Sequence, residues 1–117
     1  MDSKVISKDQ LVRLRVSHAK LDKMIEEATV DAYGDSEQVV GFLTMLEEHL
    51  KLPFKTTVLG LAVTIDRVDI TDDNQIVAVC SRGNLQQSVP ILSLPLPTPP
   101  PAGAEWIEAL RRWARYR

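Results

Sequence analysis

The hydrophobic pattern of this chain changes at Pro53, and the change separates a helical first part from a β-rich middle. Before Pro53, apolar residues recur every three or four positions, as on a helix that buries one face. After it, residues 54–70 are rich in β-branched side chains, which favour strands. The residue before a proline avoids the α-helical region, so Leu52 ends the helical half. The sequence therefore predicts an α+β protein with helices first and a sheet second.

Two helices are predicted in the first half of the chain. The first covers about residues 8–32, with Ser7 as its N-cap in a capping box. His18 lies on the apolar stripe of this helix, and we expect it to be packed or half-buried. The second helix covers about residues 36–50. Its apolar face is formed by Val39, Phe42, Leu43, Leu46 and Leu50.

Four short strands with tight turns are predicted over about residues 54–93. They indicate a small twisted antiparallel sheet or an SH3-like, partly closed barrel. Gly60 is expected to form a bulge or bend inside the first β-rich stretch. A hairpin signal follows at Arg82-Gly83-Asn84, and Cys80 is expected to be a small buried residue.

The chain is predicted to end with a proline-rich connector, residues 95–102, and a helix over about residues 104–115. Trp106, Leu110 and Trp113 share one face of that helix, which we expect to dock on the body. The arginines near its end suit a helix C-terminus and can also meet an acidic surface. Together the elements fit a single domain over residues 1–117.

Composition and motifs exclude several classes of protein. The chain is 44% apolar and 26% charged, which is typical of a globular domain and not of a disordered one. No long apolar run predicts a membrane span, and the N-terminus lacks the apolar core of a signal peptide. With Cys80 as the single cysteine, we expect a cytoplasmic protein without an internal disulfide or a membrane partner. Nothing resembles a zinc site, a phosphate loop or a nucleophile motif, so no enzyme is predicted.

The formal net charge of −2 conceals a strongly acidic segment. Residues 25–50 contain seven aspartates and glutamates and no lysine or arginine. Such a segment disfavours nucleic acid as a partner and favours cations or basic protein surfaces. The alternative interpretation is that these acids form the solvated side of two helices.

Residues 30–37, VDAYGDSE, are the candidate cation site within this segment. Calcium prefers six to eight oxygen ligands, and Asp31, Asp35 and Glu37 offer carboxylates. The stretch is not an EF-hand loop. If Asp31 is position 1 of such a loop, Gly34 falls at position 4, whereas an EF-hand needs glycine at position 6. Phe42 falls at position 12, where a bidentate glutamate is needed.

The same residues also fit a corner between two helices. Gly34 is expected to be a helix C-cap with positive φ, and Asp35 with Gln38 forms a second capping-box pattern. The two interpretations are compatible, since an acidic corner can coordinate an ion through its carbonyl groups.

Other acidic residues are separated from this corner. Glu37 and Glu48 are eleven residues apart, or about 16 Å along a helix, so they cannot chelate one ion together. Glu47 and Glu48 could therefore form a cation site only with ligands from another part of the chain. A second candidate cluster lies in the β region: Asp66, Asp69, Asp72 and Asp73.

The run VDAYGDSEQVVGF, followed by LEEHLKLPF, resembles the cyanobacterial calcium-binding (CcbP-like) protein family. The resemblance is best over residues 30–54, and Trp106 and Trp113 resemble the family's C-terminal tryptophan helix. It implies a small α+β protein that binds calcium through surface carboxylates, without an EF-hand, as a buffer or sensor. The acids that match by position are Asp31, Asp35, Glu37, Glu47 and Glu48.

The chain also departs from the family pattern. Residues 98–104, TPPPAGA, lack the carboxylates expected near the C-terminal helix, and the low net charge implies weak calcium binding. The alternative function is an ion-independent protein–protein interaction module of the same fold. It would use the acidic face, the sheet edge or the proline-rich segment.

Overall fold

The computed structural model describes residues 15–116, which form three helices and a four-stranded antiparallel sheet around a shared core. The helices are α1 (His18–Thr29), α2 (Asp35–His49) and α3 (Glu105–Arg115). The strands are β1 (Phe54–Val58), β2 (Leu61–Ile70), β3 (Ile76–Arg82) and β4 (Leu85–Pro90), followed by a 3-10 turn over Ile91–Ser93. Strand order in the sheet equals strand order in the chain, and β1 and β4 form its two edges. Of the two predicted architectures, the open antiparallel sheet is therefore the one observed.

Two short turns and one bulge set the register of the sheet. Leu59 and Gly60, with φ of 50° and 79°, form a two-residue hairpin turn between β1 and β2. Of the bulge or bend predicted at Gly60, the structure thus has a change of chain direction and no bulge. The bulge instead lies between Ile65 and Arg67 of β2. The predicted hairpin at residues 82–84 is confirmed by the pairing of Arg82 with Leu85.

Within residues 15–116, helix α1 is shorter than the sequence predicted, while residues 8–14 of the predicted helix lie outside the described part of the chain. The Ser17 side chain caps it by accepting a hydrogen bond from the Lys20 N–H at 3.2 Å, and residues 15–17 are not helical. The helix ends at Thr29, since Asp31 then adopts a left-handed φ of 60°. His18 is exposed and not packed as expected, because it opens the helix. The Ser7 cap lies outside the described residues.

The core lies between the helices and the sheet. Its most deeply buried large side chains are Phe42 and Leu46 of α2, Ile65 of β2, Ile91, and Ile107 of α3. Helix α2 packs on β2, and α1 packs on both α2 and α3. The predicted docking face of the last helix is confirmed, with Trp106 and Leu110 buried and Trp113 half-buried. Cys80 is buried as expected.

The proline-rich connector passes one edge of the sheet on its way to α3. The Thr56 hydroxyl donates to the Pro95 carbonyl at 2.7 Å, and the Lys51 N–H donates to the Ala102 carbonyl at 2.8 Å. These bonds bring the start of α3 to the end of α2, where the His49 ring stacks on Trp106. No helix within residues 15–116 has the length and apolarity needed to cross a bilayer.

Candidate metal site

The acidic corner predicted at VDAYGDSE is observed between α1 and α2, but its caps differ from the prediction. The left-handed residue is Asp31, not Gly34. Gly34 has an extended φ of −170° and is the N-cap of α2, which makes Asp35 the first residue of the helix and not its cap. In place of an Asp35–Gln38 capping box, the Glu37 carboxylate accepts a hydrogen bond from the Tyr33 N–H at 2.8 Å.

The three corner carboxylates of Asp31, Asp35 and Glu37 are all on exposed residues. Asp35 and Glu37 lie in the first turn of α2, where the partial positive charge of the helix N-terminus favours anions. Part of the acidity of this segment therefore stabilises the helix. The other candidate carboxylate, that of Asp31, is on an exposed residue just before this helix.

Glu47 and Glu48 lie at the opposite end of α2. Ten or more residues separate them from Glu37, which is about 15 Å or more of helix. Both are exposed, and Glu48 lies 3.8 Å from the His49 imidazole. The structure thus does not bring these two acids to the corner.

The turn between β2 and β3 carries Asp72 and Asp73 and is closely hydrogen-bonded. The Thr71 N–H donates to the Gln75 carbonyl at 2.9 Å, and the Thr71 hydroxyl donates to the Asp73 carboxylate. Asn74, in a left-handed conformation with φ of 64°, occupies the tip.

This turn lies against the N-terminal end of α2. The Asn74 side-chain amide donates to the Ser36 hydroxyl at 2.7 Å. Ser36 follows Asp35, and Asn74 follows Asp73, so one hydrogen bond joins the two acidic segments that the sequence presented as separate clusters. No sequence pattern signals this contact, because the two residues are 38 positions apart.

The other two acids of the β cluster belong to strand β2, before the turn begins. Asp66 is the bulged residue of β2, four positions before Ile70 ends the strand, or about 13 Å along it. The carboxylate of Asp69 accepts a hydrogen bond from the Ile70 N–H at 2.8 Å. Asp66 therefore does not flank the turn as the second-cluster prediction required.

Elsewhere, one carboxyl group and one thiol have shifted pKa values, in addition to the raised pKa of Arg112. A hydrogen bond from Arg112 lowers the pKa of Asp22, and the two side chains form an ion pair of 2.8 Å between α3 and α1. Burial raises the pKa of the Cys80 thiol, with a smaller contribution from the charge of Asp66. Neither group lies among the candidate ligands.

The donor set around the corner and the turn suits a hard cation in its chemistry. It consists of carboxylates, a hydroxyl, a side-chain amide and backbone carbonyls, which are the oxygen ligands that calcium takes in proteins. Across residues 15–116, however, no three histidine, cysteine, aspartate or glutamate side chains are grouped so that they could hold a metal ion. A bound ion would therefore draw exposed carboxylates toward itself.

Comparison with known proteins decides the family. A family model described as calcium binding, that of the CcbP proteins, matches residues 22–95. The chain belongs to this family. The matched region contains every acid of both candidate clusters, and it ends before α3. The CcbP family is described by calcium binding and not by an enzymatic activity.

The fold is also that of a solved CcbP structure. The crystal structure of CcbP from Anabaena superposes with a TM-score of 0.65, over 88% of this chain and 94% of that chain. Sequence identity is 15%, so this likeness establishes the shared fold and nothing about individual ligands. A search of curated proteins found no match to the chain.

Proposed function

We propose that this protein binds calcium where the α1–α2 corner meets the β2–β3 turn. We call this place the junction; its acids are Asp31, Asp35, Glu37, Asp72 and Asp73. The observation that carries the proposal is the family match over residues 22–95, which includes both acidic segments. The hydrogen bond between Asn74 and Ser36 supports the choice of place, since it holds the two segments side by side.

The proposed chemistry is coordination by mobile surface oxygens and not by a preformed loop. Exposed carboxylates would supply the charge, while backbone carbonyls and water would complete the six to eight ligands that calcium takes. Ordering several side chains around an ion costs conformational entropy. We therefore expect a dissociation constant of about 10⁻⁴–10⁻³ M, the range of weak calcium sites.

The other predicted acids would contribute less to calcium binding. Glu47 and Glu48 would form a separate, weaker site at the C-terminal end of α2, where the helix dipole favours cations. Asp66 and Asp69 would contribute long-range attraction without direct coordination.

We further propose that the protein acts in the cytoplasm, as a calcium buffer or sensor without an EF-hand. The support is a buried free thiol, Cys80, which suits a reducing compartment. A sensor changes its conformation when calcium binds, whereas a buffer does not. Chemical-shift changes far from the site during a calcium titration would therefore indicate a sensor.

The site is tested by titrating the isotope-labelled protein with calcium and separately with magnesium, following backbone amide chemical shifts. We expect one saturable set of calcium-dependent changes over residues 31–37 and 71–75. An absence of change up to millimolar calcium, or equal changes with magnesium, would contradict the proposal.

Paired variants locate the ligands. Asp35→Asn with Asp72→Asn removes two carboxylates from the junction, and Glu47→Gln with Glu48→Gln removes two from the far end of α2. We expect the first pair to weaken calcium binding about tenfold or more, as for the loss of charged ligands. The second pair should leave the main affinity within about twofold. Equal losses of calcium affinity in the two pairs would mean that the acidic segment attracts calcium without a specific site.

A further inference from the structure

An open groove runs between the end of α1 and the first half of α2, with a volume of about 430 Å³. Its apolar walls come from Ala28, Val30, Val40 and Gly41. Gly41 lets the two helices approach closely, since a Cβ there would lie 1.9 Å from the Ala28 carbonyl oxygen. We call this feature the α1–α2 groove; its volume lies in the range of protein ligand pockets.

Several apolar side chains in and beside the groove are exposed to solvent. Val30 is 68% exposed and Val40 48%, while Tyr33 in the corner loop is 87% exposed. Neither valine favours helix formation, and neither fills the core. Grouped exposed apolar residues with a polar rim are typical of interaction surfaces.

The charge of the groove selects the kind of partner. Its lining contains two carboxylates, Asp31 and Glu37, and no lysine, arginine or histidine. The surrounding residues 25–50 add further acids and also contain no lysine or arginine. An occupant that buries the valines must therefore also supply positive charge beside them.

We propose that the α1–α2 groove docks a basic, amphipathic segment of another protein, with large apolar side chains against Val30 and Val40. Lysine or arginine side chains of that segment pair with Asp31 and Glu37. This mode corresponds to an amphipathic helix in a groove. The inference goes beyond calcium binding, because the groove and its charge exist without an ion.

Calcium and the partner segment share Asp31 and Glu37, so the two ligands are coupled. A calcium ion at the junction neutralises the charge that attracts the segment, and binding of either ligand must weaken the other by the same factor. Calcium would thus release the partner. This coupling rests on the proposed function, whereas docking in the absence of calcium does not.

The probe is a fluorescently labelled helical peptide of leucine and lysine, measured by anisotropy with the full-length protein in chelator. A matched peptide with glutamate in place of lysine is the charge control. We expect the lysine peptide to bind and the glutamate peptide not to bind. Failure of the lysine peptide to bind, or equal binding of both, would overturn the proposal.

Protein variants separate docking from unspecific attraction. Val30→Ser with Val40→Ser should weaken binding of the lysine peptide about tenfold, by removing apolar contact. Leu59→Ser with Leu85→Ser is the matched control, since these leucines are also exposed but lie on the sheet hairpins. The control should bind as the wild type does. Equal loss in both pairs, or no loss in the valine pair, contradicts the proposal.

A third variant tests the charge without disturbing the backbone. Asp31→Asn keeps a residue that tolerates the left-handed φ of 60°. It should weaken the lysine peptide and reduce the dependence of its binding on salt. If the salt dependence of peptide binding is unchanged, Asp31 does not pair with the lysines of the peptide.

Two further measurements distinguish the remaining outcomes. If the protein alone self-associates in sedimentation and the valine pair abolishes this, a second copy fills the groove and the assignment to another protein is wrong. If the peptide binds in chelator but calcium does not displace it, docking stands and the shared use of Asp31 and Glu37 fails. Calcium titration without peptide reports separately on the proposed function.

Discussion

At the residue scale, Gly41 determines how closely α1 approaches the candidate site. We expect Gly41→Ala to destabilise the protein, because the added methyl group would meet the Ala28 carbonyl at 1.9 Å. Overpacking costs about 1–3 kcal/mol, while alanine regains about 1 kcal/mol of helix propensity. Because the clash is with backbone, we expect the upper end of this cost, and urea denaturation should show a net loss of about 2 kcal/mol.

Gly34 supplies the control for this variant. Its extended backbone suits any residue, and a Cβ there would meet nothing within 4 Å. Gly34→Ser places a good N-cap residue before α2 and should leave stability unchanged or slightly higher. A Gly41→Ala protein as stable as the wild type would show that the helices separate without cost.

Leu59 is a bulky residue held in a left-handed turn. Its φ is 50°, and its side chain is 96% exposed, so the conformation is not compensated by burial. Leu59→Asn should stabilise the protein by about 0.5–1 kcal/mol, because asparagine tolerates this turn position. Leu61→Asn, in the adjoining strand, should be neutral or destabilising. A loss of stability in Leu59→Asn, measured by thermal unfolding, would contradict this account of the turn.

At the element scale, helix α2 was predictable from sequence and the ends of α1 were not. The apolar residues of α2 recur over four turns, and its predicted bounds lie within one residue of those observed. The periodic stripe of α1 continues on both sides of the true helix. The Ser17 cap and the left-handed Asp31 end the helix instead, and neither affects hydrophobic periodicity.

In the sheet, too, the sequence pattern predicted the elements but not the local backbone conformation. β-branched composition predicted the strands, yet it could not distinguish a turn at Gly60 from a bulge there. The observed bulge at Asp66 places Ile65 and Val68, three residues apart, on the same buried face. A prediction that side chains alternate strictly between the two faces of the sheet cannot reveal where a bulge shifts this alternation.

The ion pair between Asp22 and Arg112 joins α1 to α3 and should make their docking dependent on pH. The pKa of Asp22 is lowered below its ordinary value of 3.8, chiefly by the hydrogen bond from Arg112. The pair therefore stabilises the fold above that value, and this contribution is lost as pH falls through the lowered pKa. Asp22→Asn should reduce the thermal midpoint at about pH 7, and the difference should disappear in acid once the carboxyl of the folded protein is protonated.

Glu26→Gln is the control for this variant, because Glu26 is an exposed acid on the same helix. It should change the midpoint little at either pH, and added salt should reduce the effect of Asp22→Asn. A midpoint difference between wild type and Asp22→Asn that stays constant with pH would contradict the assigned role of the pair.

At the scale of the whole molecule, the candidate site joins segments that are distant in the chain. Sequence reasoning found both acidic segments, since each is locally rich in carboxylates. It could not place the β2–β3 turn against the start of α2, because the Asn74–Ser36 contact depends on how the helices lie on the sheet. Among the described residues, Arg112 near the end of α3 likewise pairs with a residue distant in the chain, Asp22 of α1.

Calcium binding by the folded protein is the central claim, and thermal unfolding in chelator, in magnesium and in calcium tests it most directly. A ligand at about 100 times its dissociation constant stabilises a fold by ~2.7 kcal/mol. For a domain of this size, that raises the unfolding midpoint by roughly 10 °C. With an expected dissociation constant of about 10⁻⁴–10⁻³ M, we predict a rise of this order at about 10–100 mM calcium and a much smaller one at the same concentration of magnesium. Equal midpoints in all three conditions, or equal rises with both ions, would contradict the claim.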